Sequence, residues 1–304
     1  MTIGIAGIGR MGLNMLKRLH ERGHDVAAYN FTDDLLKEPK KLGLPTATTL
    51  KQFVSLLKPP RQIIVMLPHG EITRTHIEQL LPLLKDKDII VDGGNSHYKE
   101  SMQLAEQCRK AGVYFLDAGI SGGIWGRQKG YNIMVGGPKV AFKRMEPVFK
   151  SLAPDNGYAH VSPKNGAGHF VKMMHNALEY AMLQSIGETF ESLRCSEFDL
   201  DLKQVSQLWN NGAVVRSWLL ELLTKSLESN GQGLDNIQPF VEDSDMGRWA
   251  AQFAVEQGIP LPTITQALYE RFASRIDQRF SNQIIAALRK EFGGHAVKAK
   301  KRSR

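Results

Sequence analysis

Residues 2–23, TIGIAGIGRMGLNMLKRLHERG, join an apolar run of strand length to an amphipathic stretch through a glycine turn. A strand that passes directly into a helix must find its sheet partner by a crossover, so the next strand lies parallel to it. DVAAYN is that next strand. The same alternation continues through RQIIVMLP, a helix in THIEQLLPLLKD, DIIVDGG, a helix in SHYKESMQLAEQCRKAG, and VYFLDAGIS. YNIMVGG with a helix over about 138–152 adds one more unit. Strands alternating with helices predict an α/β, Rossmann-type doubly wound domain, a parallel sheet with helices on both faces.

From about Gly166 no convincing strand remains. Helical periodicity runs over 167–194, 201–210, 214–229, 245–257, 262–275 and 281–291. The turn-rich PDNGYAHVSPKNG separates the two regimes. The expected organisation is a dinucleotide-binding domain over 1–160, an all-α domain for substrate and dimerisation over 161–292, and a tail over 293–304 that is basic at its end.

Composition narrows the class. Cys108 and Cys195 are the only cysteines, which excludes a disulfide framework and suits a reducing cytoplasm. The N-terminus lacks the pattern of a signal peptide, and no run approaches 18 apolar residues, so no membrane span is expected. Lys298, Lys300, Lys301, Arg302 and Arg304 supply five charges of the net +8. The tail is therefore read as a solvated end rather than a nucleic-acid surface, with weak polyanion binding as the alternative. The mildly basic remainder suits anionic small ligands.

Gly7, Gly9 and Gly12 form G-x-G-x-x-G between the first strand and first helix. The first glycine permits the turn, the second lets a pyrophosphate approach the backbone, and the third lets helix pack on strand. The helix N-terminus then offers N–H groups to phosphates. Arg10 and Met11 lie within this turn and count with the cofactor-binding residues. The second strand ends in Tyr29-Asn30-Phe31-Thr32-Asp33-Asp34, with neither the strand-tip acid that holds a ribose 2′-OH nor an adjacent arginine for a 2′-phosphate. Asn30, Phe31 and Thr32 are assigned to the cofactor. NAD or NADP is expected, with a lean to NAD because Asp33 and Asp34 would repel a phosphate if they point inward.

In NGAGHFVKMMHNALEY, residues 165–180, Lys172, His175, Asn176, Glu179 and Tyr180 share one helical stripe. An alcohol-oxidising enzyme needs a base for the hydroxyl proton, and a lysine serves if burial or nearby positive charge lowers its pKa. Glu179 follows seven residues later, about 10 Å along the axis. Such a pair can divide acid and base duties on a small substrate. The plainer readings are a solvated helix face or a buried structural network. His169 falls off the stripe and is read as a local hydrogen-bonding residue. Two glycine-rich turns follow strands, DGGNS with Asn95 and SGG with Ser121, Gly122 and Gly123. Asn95 and Ser121 are placed to bind substrate or the nicotinamide carboxamide, or are turn residues chosen for backbone reasons. No cluster has metal-ligand spacing, and no metal is expected.

GIAGIGRMG, DGGNS, SGG and GAGHFVKMMHNALEY together resemble the decarboxylating 6-phosphogluconate dehydrogenase family, in its short form, over about residues 2–297. The wider β-hydroxyacid dehydrogenases share the glycine motif, SGG and the lysine, but not the HN…EY continuation. The resemblance implies Lys172 as general base and Glu179 as general acid. It implies that Asn95, Ser121, Gly122, Gly123, His175 and Asn176 hold the sugar acid, and that Tyr180 helps bind the phosphate. GRWAAQFAVEQGIPLPTITQALYERF resembles a family stretch that makes Arg271 a phosphate ligand. LRKEFGGH resembles the family's C-terminal R-x-x-F-G-x-H, so Arg289 and His295 would serve a neighbouring subunit in a homodimer or homotetramer. The sequence departs from the long members at Ser244, where they carry a phosphate-binding lysine. Phosphate binding is then expected to rest on Arg271 and Arg289, with Arg248 or Arg275. The implied reaction is oxidative decarboxylation of 6-phosphogluconate. The alternative is a β-hydroxyacid dehydrogenase that stops after oxidation.

Overall fold

A computed structural model describes residues 2–293 together with Ala296 and Lys298. It divides into two compact units, Met1–Asn176 and Ala177–Arg304, which share one long helix.

The first unit is built on eight strands: β1 Thr2–Ala6, β2 Asp25–Tyr29, β3 Thr46–Ala47, β4 Gln62–Val65, β5 Ile89–Asp92, β6 Tyr114–Ser121, β7 Asn132–Gly136 and β8 Tyr158–Ser162. Their order in the sheet is β3-β2-β1-β4-β5-β6-β7-β8. The helices between them are α1 Arg10–Glu21, α2 Lys37–Lys41, α3 Leu50–Ser55, α4 Glu71–Leu80, α5 Tyr98–Lys110, α6 Gly126–Lys129 and α7 Lys139–Leu152. The order reverses between β1 and β4, and the crevice outside the strand C-termini at such a point is where doubly wound sheets take ligands.

The central strands are mostly apolar because both faces are covered. Ile3, Ile5 and Ile64 pack on one face with Met15, Leu16 and Leu19 of α1 and with Met145, Val148 and Phe149 of α7. Ile63 and Val65 point the other way, to Phe53, Ile77, Leu80, Leu104 and Cys108. The period of two along each strand thus sorts one run of residues into two cores.

Two features differ from the sequence reading. First, β7 runs antiparallel to β6, with Ile120 opposite Ile133. The connection over 122–131 is shorter than the dozen or so residues a parallel crossover needs. Second, YAHVS, read as part of a turn-rich boundary, forms β8, parallel to β7 with Ile133 opposite Tyr158. An edge strand held by backbone pairing needs no continuous apolar run, so its alternation of half-buried and exposed residues gave little signal.

The shared helix is α8, Ala167–Arg194. In the second unit it is followed by α9 Leu202–Trp209, α10 Trp218–Asn230, α11 Asp245–Gln257, α12 Pro262–Ala273 and α13 Phe280–Gly293. Phe190, Leu202, Leu220 and Leu227 form one small core there, and Tyr180, Ala267 and Leu268 another. α10 starts later than periodicity suggested because Ser217 caps it, its Oγ accepting from the Leu220 N–H. Among the described residues no strand is found after β8, and no helix is long and apolar enough to cross a membrane.

Candidate active site

The dinucleotide turn is built by close approach. Gly7 has φ +100°, and a Cβ there would meet the Met66 carbonyl oxygen at 2.5 Å. A Cβ on Gly12 would strike the Gly7 carbonyl, so the third glycine is what lets α1 leave the sheet at this angle. Gly9 has open space around it, and the N-terminus of α1 has neither a side-chain cap nor an acid in its first turn. These features fit a pyrophosphate, which would replace the missing cap. Arg10 is exposed beside it, Met11 half-buried.

Asn30 is buried and organises the strand tip. Its Oδ1 accepts from the Ile8 N–H at 3.2 Å, and its Nδ2 donates to Thr32 O and Oγ1 at 3.1 and 2.8 Å. Phe31 stands exposed next to it. Asp33 and Asp34 are exposed and paired with Lys40 and Lys37 at 2.5 and 2.6 Å. Their negative charge is largely answered within this loop.

The second turn, after β5, hangs on Asp92, which is fully buried. Its two carboxylate oxygens accept from the Gly94 N–H and the Ser96 hydroxyl, at 2.9 and 2.7 Å. Asn95 takes φ +54°, and its Oδ1 accepts from the Ile120 N–H at 3.2 Å. That bond ties the DGGNS turn to the strand ending in Ser121, so these two sequence-predicted residues belong to one assembly. Gly122 and Gly123 both have positive φ, which the turn out of β6 requires.

The base of α8 is docked on β6 by a carboxylate. Asp117, fully buried, accepts from the Gly166 N–H at 2.7 Å and from the His169 N–H at 3.0 Å. It caps the helix from another element, satisfying two donors that the first turn would otherwise leave unpaired. Gly168 lies against the β6 and β7 backbone so tightly that a Cβ would strike the Asp117 and Met134 carbonyls. One turn on, Gly119 of β6 faces Lys172, whose Cβ occupies the place a Gly119 side chain would need. Lys172 is consequently only 4% exposed, and its Nζ donates to Asn176 Oδ1 at 2.7 Å. His175, exposed, adds its Nδ1 at 3.3 Å from the same oxygen. Lys172, His175 and Asn176 therefore form one hydrogen-bonded group. His169 is buried with Nδ1 2.7 Å from the hydroxyl of Ser101 on α5, a bond to a distant element and not to its own turn.

In the second unit Glu179 is half-buried on α8, and Tyr180 is buried. The Tyr180 hydroxyl meets Ser244 three times: the Ser244 N–H at 2.6 Å, its carbonyl at 3.1 Å and its Oγ at 3.0 Å. The Arg271 guanidinium lies over the Tyr180 ring, 3.5 Å from its centroid, and donates Nη1 to Glu242 O at 2.9 Å. Arg248 and Arg275 both bind the Asp243 carboxylate, at 2.6 and 2.7 Å. The Arg248 hydrogen bond, then that of Arg275, holds the Asp243 carboxyl below its ordinary range. Arg289 is exposed on α13, and His295 lies outside the described residues.

Sequence reasoning missed Asp92, Asp117 and Asp243. The first two had a signal, an acid inside or ending an apolar strand run, which burial permits only with partners. Asp243 had none.

These features can be set beside known proteins. Residues 2–161 match the family model of the NAD binding domain of 6-phosphogluconate dehydrogenase, and residues 168–303 match that of the enzyme's C-terminal domain. The chain is 42% identical over 300 residues to the Bacillus subtilis (strain 168) protein YqeC, a candidate 6-phosphogluconate dehydrogenase, covering 99% of this chain and 100% of that one. It is 41% identical over 302 residues to the NAD(+)-dependent, decarboxylating 6-phosphogluconate dehydrogenase of Haloferax volcanii, covering 99% of each. The solved Plasmodium falciparum 6-phosphogluconate dehydrogenase, known with NADP+ and with 6-phosphogluconate, superposes with a TM-score of 0.84 at 26% identity, over 100% of this chain and 67% of that one. With both halves matched in order and full-length relatives above 40% identity, the chain belongs to the 6-phosphogluconate dehydrogenase family.

Proposed function

We propose that this protein oxidises and decarboxylates 6-phospho-D-gluconate to D-ribulose 5-phosphate and CO2, with NAD or NADP. The observation that carries the reading is Lys172, buried against Gly119 and hydrogen-bonded to Asn176 within a family whose relatives perform this reaction.

A dinucleotide held by the glycine turn, Asn30, Phe31 and Thr32 supplies the hydride acceptor. Lys172 takes the C3 hydroxyl proton as the C3 hydride departs, a step that uses the neutral amine. The product is a β-keto acid. Lys172, now an ammonium, hydrogen-bonds the C3 ketone, which accepts the electron pair of the breaking C1–C2 bond as CO2 leaves. Glu179, two turns further along α8, donates a proton to the carbon that lost the carboxylate, and the enediol becomes the ketose. Asn95, Ser121, Gly122, Gly123, His175 and Asn176 orient the hydroxyls and carboxylate. Arg271, with Tyr180, takes the phosphate. Arg248 and Arg275, engaged by Asp243, are poor candidates for that task. NAD is favoured over NADP because exposed Phe31, rather than a cation, follows Asn30 at the strand tip.

The active form is read as a homodimer or homotetramer in the cytoplasm. On α13, Phe280, Ile284, Ile285 and Leu288 are all exposed at helical spacing, a stripe that a second copy would cover. In that assembly Arg289 and His295 would serve the partner's site. Free Cys108 and Cys195 suit a reducing compartment.

The test is a spectrophotometric assay with 6-phosphogluconate, NAD and NADP in parallel, and trapping of CO2. Reduced dinucleotide with equimolar CO2, lost in Lys172→Met, is the expected result. Reduction without CO2, insensitive to Glu179→Gln, would replace this reading with a simple hydroxyacid dehydrogenase.

A further inference from the structure

Two buried carboxylates stand opposite each other on neighbouring parallel strands, Asp92 on β5 and Asp117 on β6. Each fixes the start of one helix. Asp92 holds the Gly94 N–H and the Ser96 hydroxyl, and with them the turn that leads into α5. Asp117 holds the Gly166 and His169 N–H groups at the start of α8. A helix anchored only through donors of its first turn keeps its place along the strand but can still tilt about that point. Tilt displaces whatever lies further along, and Lys172 is almost one full turn beyond His169.

A lateral contact removes that freedom. His169 Nδ1 lies 2.7 Å from the Ser101 hydroxyl of α5, and the same hydroxyl donates to the His97 carbonyl at 3.3 Å. Ser101 and His169 are both fully buried, so water does not compete for the bond. Around it the first turns of the two helices touch. The Tyr98 ring meets Phe170 edge-on at 5.3 Å, and a Cβ on Gly166 would come within 2.8 Å of the Tyr98 carbonyl oxygen. The imidazole is engaged at one end: among the described residues Nε2 has no hydrogen-bond partner.

We propose that His169 is a positioning residue: through Nδ1 and Ser101 it fixes the tilt of α8 against α5, and so the spacing between Lys172 and Asn95. The inference rests on the reaction proposed above and adds to it a residue that takes no part in the proton or hydride transfers. Asn95 sits in the turn that leads into α5, so the bond ties that turn to the base on α8.

The experiment is steady-state kinetics of the intact protein with 6-phosphogluconate, unlabelled and deuterated at C3, together with NADH titration. His169→Leu and Ser101→Ala are expected to lower kcat on the order of tenfold to a hundredfold, as a misplaced reacting group does. KM and NADH affinity should stay near those of the parent. The deuterium isotope effect on kcat should be at least as large as the parent's, because hydride transfer is the step slowed. The double variant should be no slower than the slower single one, since either change removes the same bond. An asparagine amide reaches the place of Nδ1, and a glutamine amide that of Nε2. His169→Asn is therefore expected to restore most of kcat, and His169→Gln is not.

If His169→Gln is the better replacement, Nε2 is the working atom and the proposal fails. It also fails if kcat falls while the isotope effect shrinks towards unity, or if stability alone changes. Should His169→Leu not fold, Ser101→Ala decides: a kcat equal to the parent's overturns the proposal. The reaction reading fails separately, by absence of turnover in the parent protein. The variants would then be compared by the rate at which formaldehyde and cyanoborohydride methylate Lys172, located by peptide mass. Faster labelling in His169→Leu and Ser101→Ala, but not in His169→Asn, supports the positioning role; equal labelling throughout overturns it.

Discussion

The Asp117 carboxylate accepts from the His169 N–H at 3.0 Å, and through that bond β6 sets where α8 begins. The second oxygen does the same for Gly166 at 2.7 Å. Lys172 sits one turn beyond His169, so its position along the strand is set by this cap. Asp117→Ala leaves two buried donors unpaired and is expected to cost roughly 2–4 kcal/mol of stability. Asp117→Asn, which keeps one acceptor oxygen, should cost less. Urea denaturation of the two variants measures both losses, and equal stability of parent and Asp117→Ala would refute the capping role.

Gly119→Ala tests the contact between β6 and the lysine. The added methyl would displace Lys172 or the strand, at about 1–3 kcal/mol of overpacking. A shift of about 1 Å at a reacting group can lower the rate on the order of a hundredfold. The expected pattern is a large fall in kcat with dinucleotide affinity unchanged, read by steady-state kinetics and by titration of the reduced cofactor.

Asn30→Ala should do the reverse. It removes the acceptor of the buried Ile8 N–H and the donor to Thr32, loosening the glycine turn and the strand tip together. A bond of this kind is worth about 1–2 kcal/mol, so dinucleotide affinity should fall roughly tenfold while kcat at saturation holds. Fluorescence titration with NADH separates the two effects.

Asp243 gives a pH signature. Hydrogen bonds from Arg248 first, then Arg275, depress its carboxyl pKa in the folded protein. The unfolded chain therefore takes up the proton first as the pH falls. The stabilisation is complete above the unfolded value, about 4, and is lost as the pH drops through the lower folded value. Asp243→Asn should be roughly 1–3 kcal/mol less stable than the parent at pH 7, a gap that narrows below about pH 4. Denaturation curves at pH 7 and pH 3 check it; a gap that widens in acid would contradict the assignment.

The residues that local periodicity controls were legible in the sequence. Ile3, Ile5, Ile63 and Val65 alternate between two cores, and Lys172, His175 and Asn176 fall on one stripe, because strand and helix periods act over neighbouring residues. Gly7 and Gly12 were legible because a tight turn admits few residues. What the tertiary structure alone decided involves partners distant in sequence. Asp117 finds Gly166 and His169 only once β6 and α8 are packed, and Tyr180 finds Ser244 and Arg271 only once α11 and α12 have folded beside its helix. β8 pairs through its backbone, which every sequence possesses alike. A residue's type shows that a buried carboxylate or phenol needs partners; which groups supply them depends on where the chain returns.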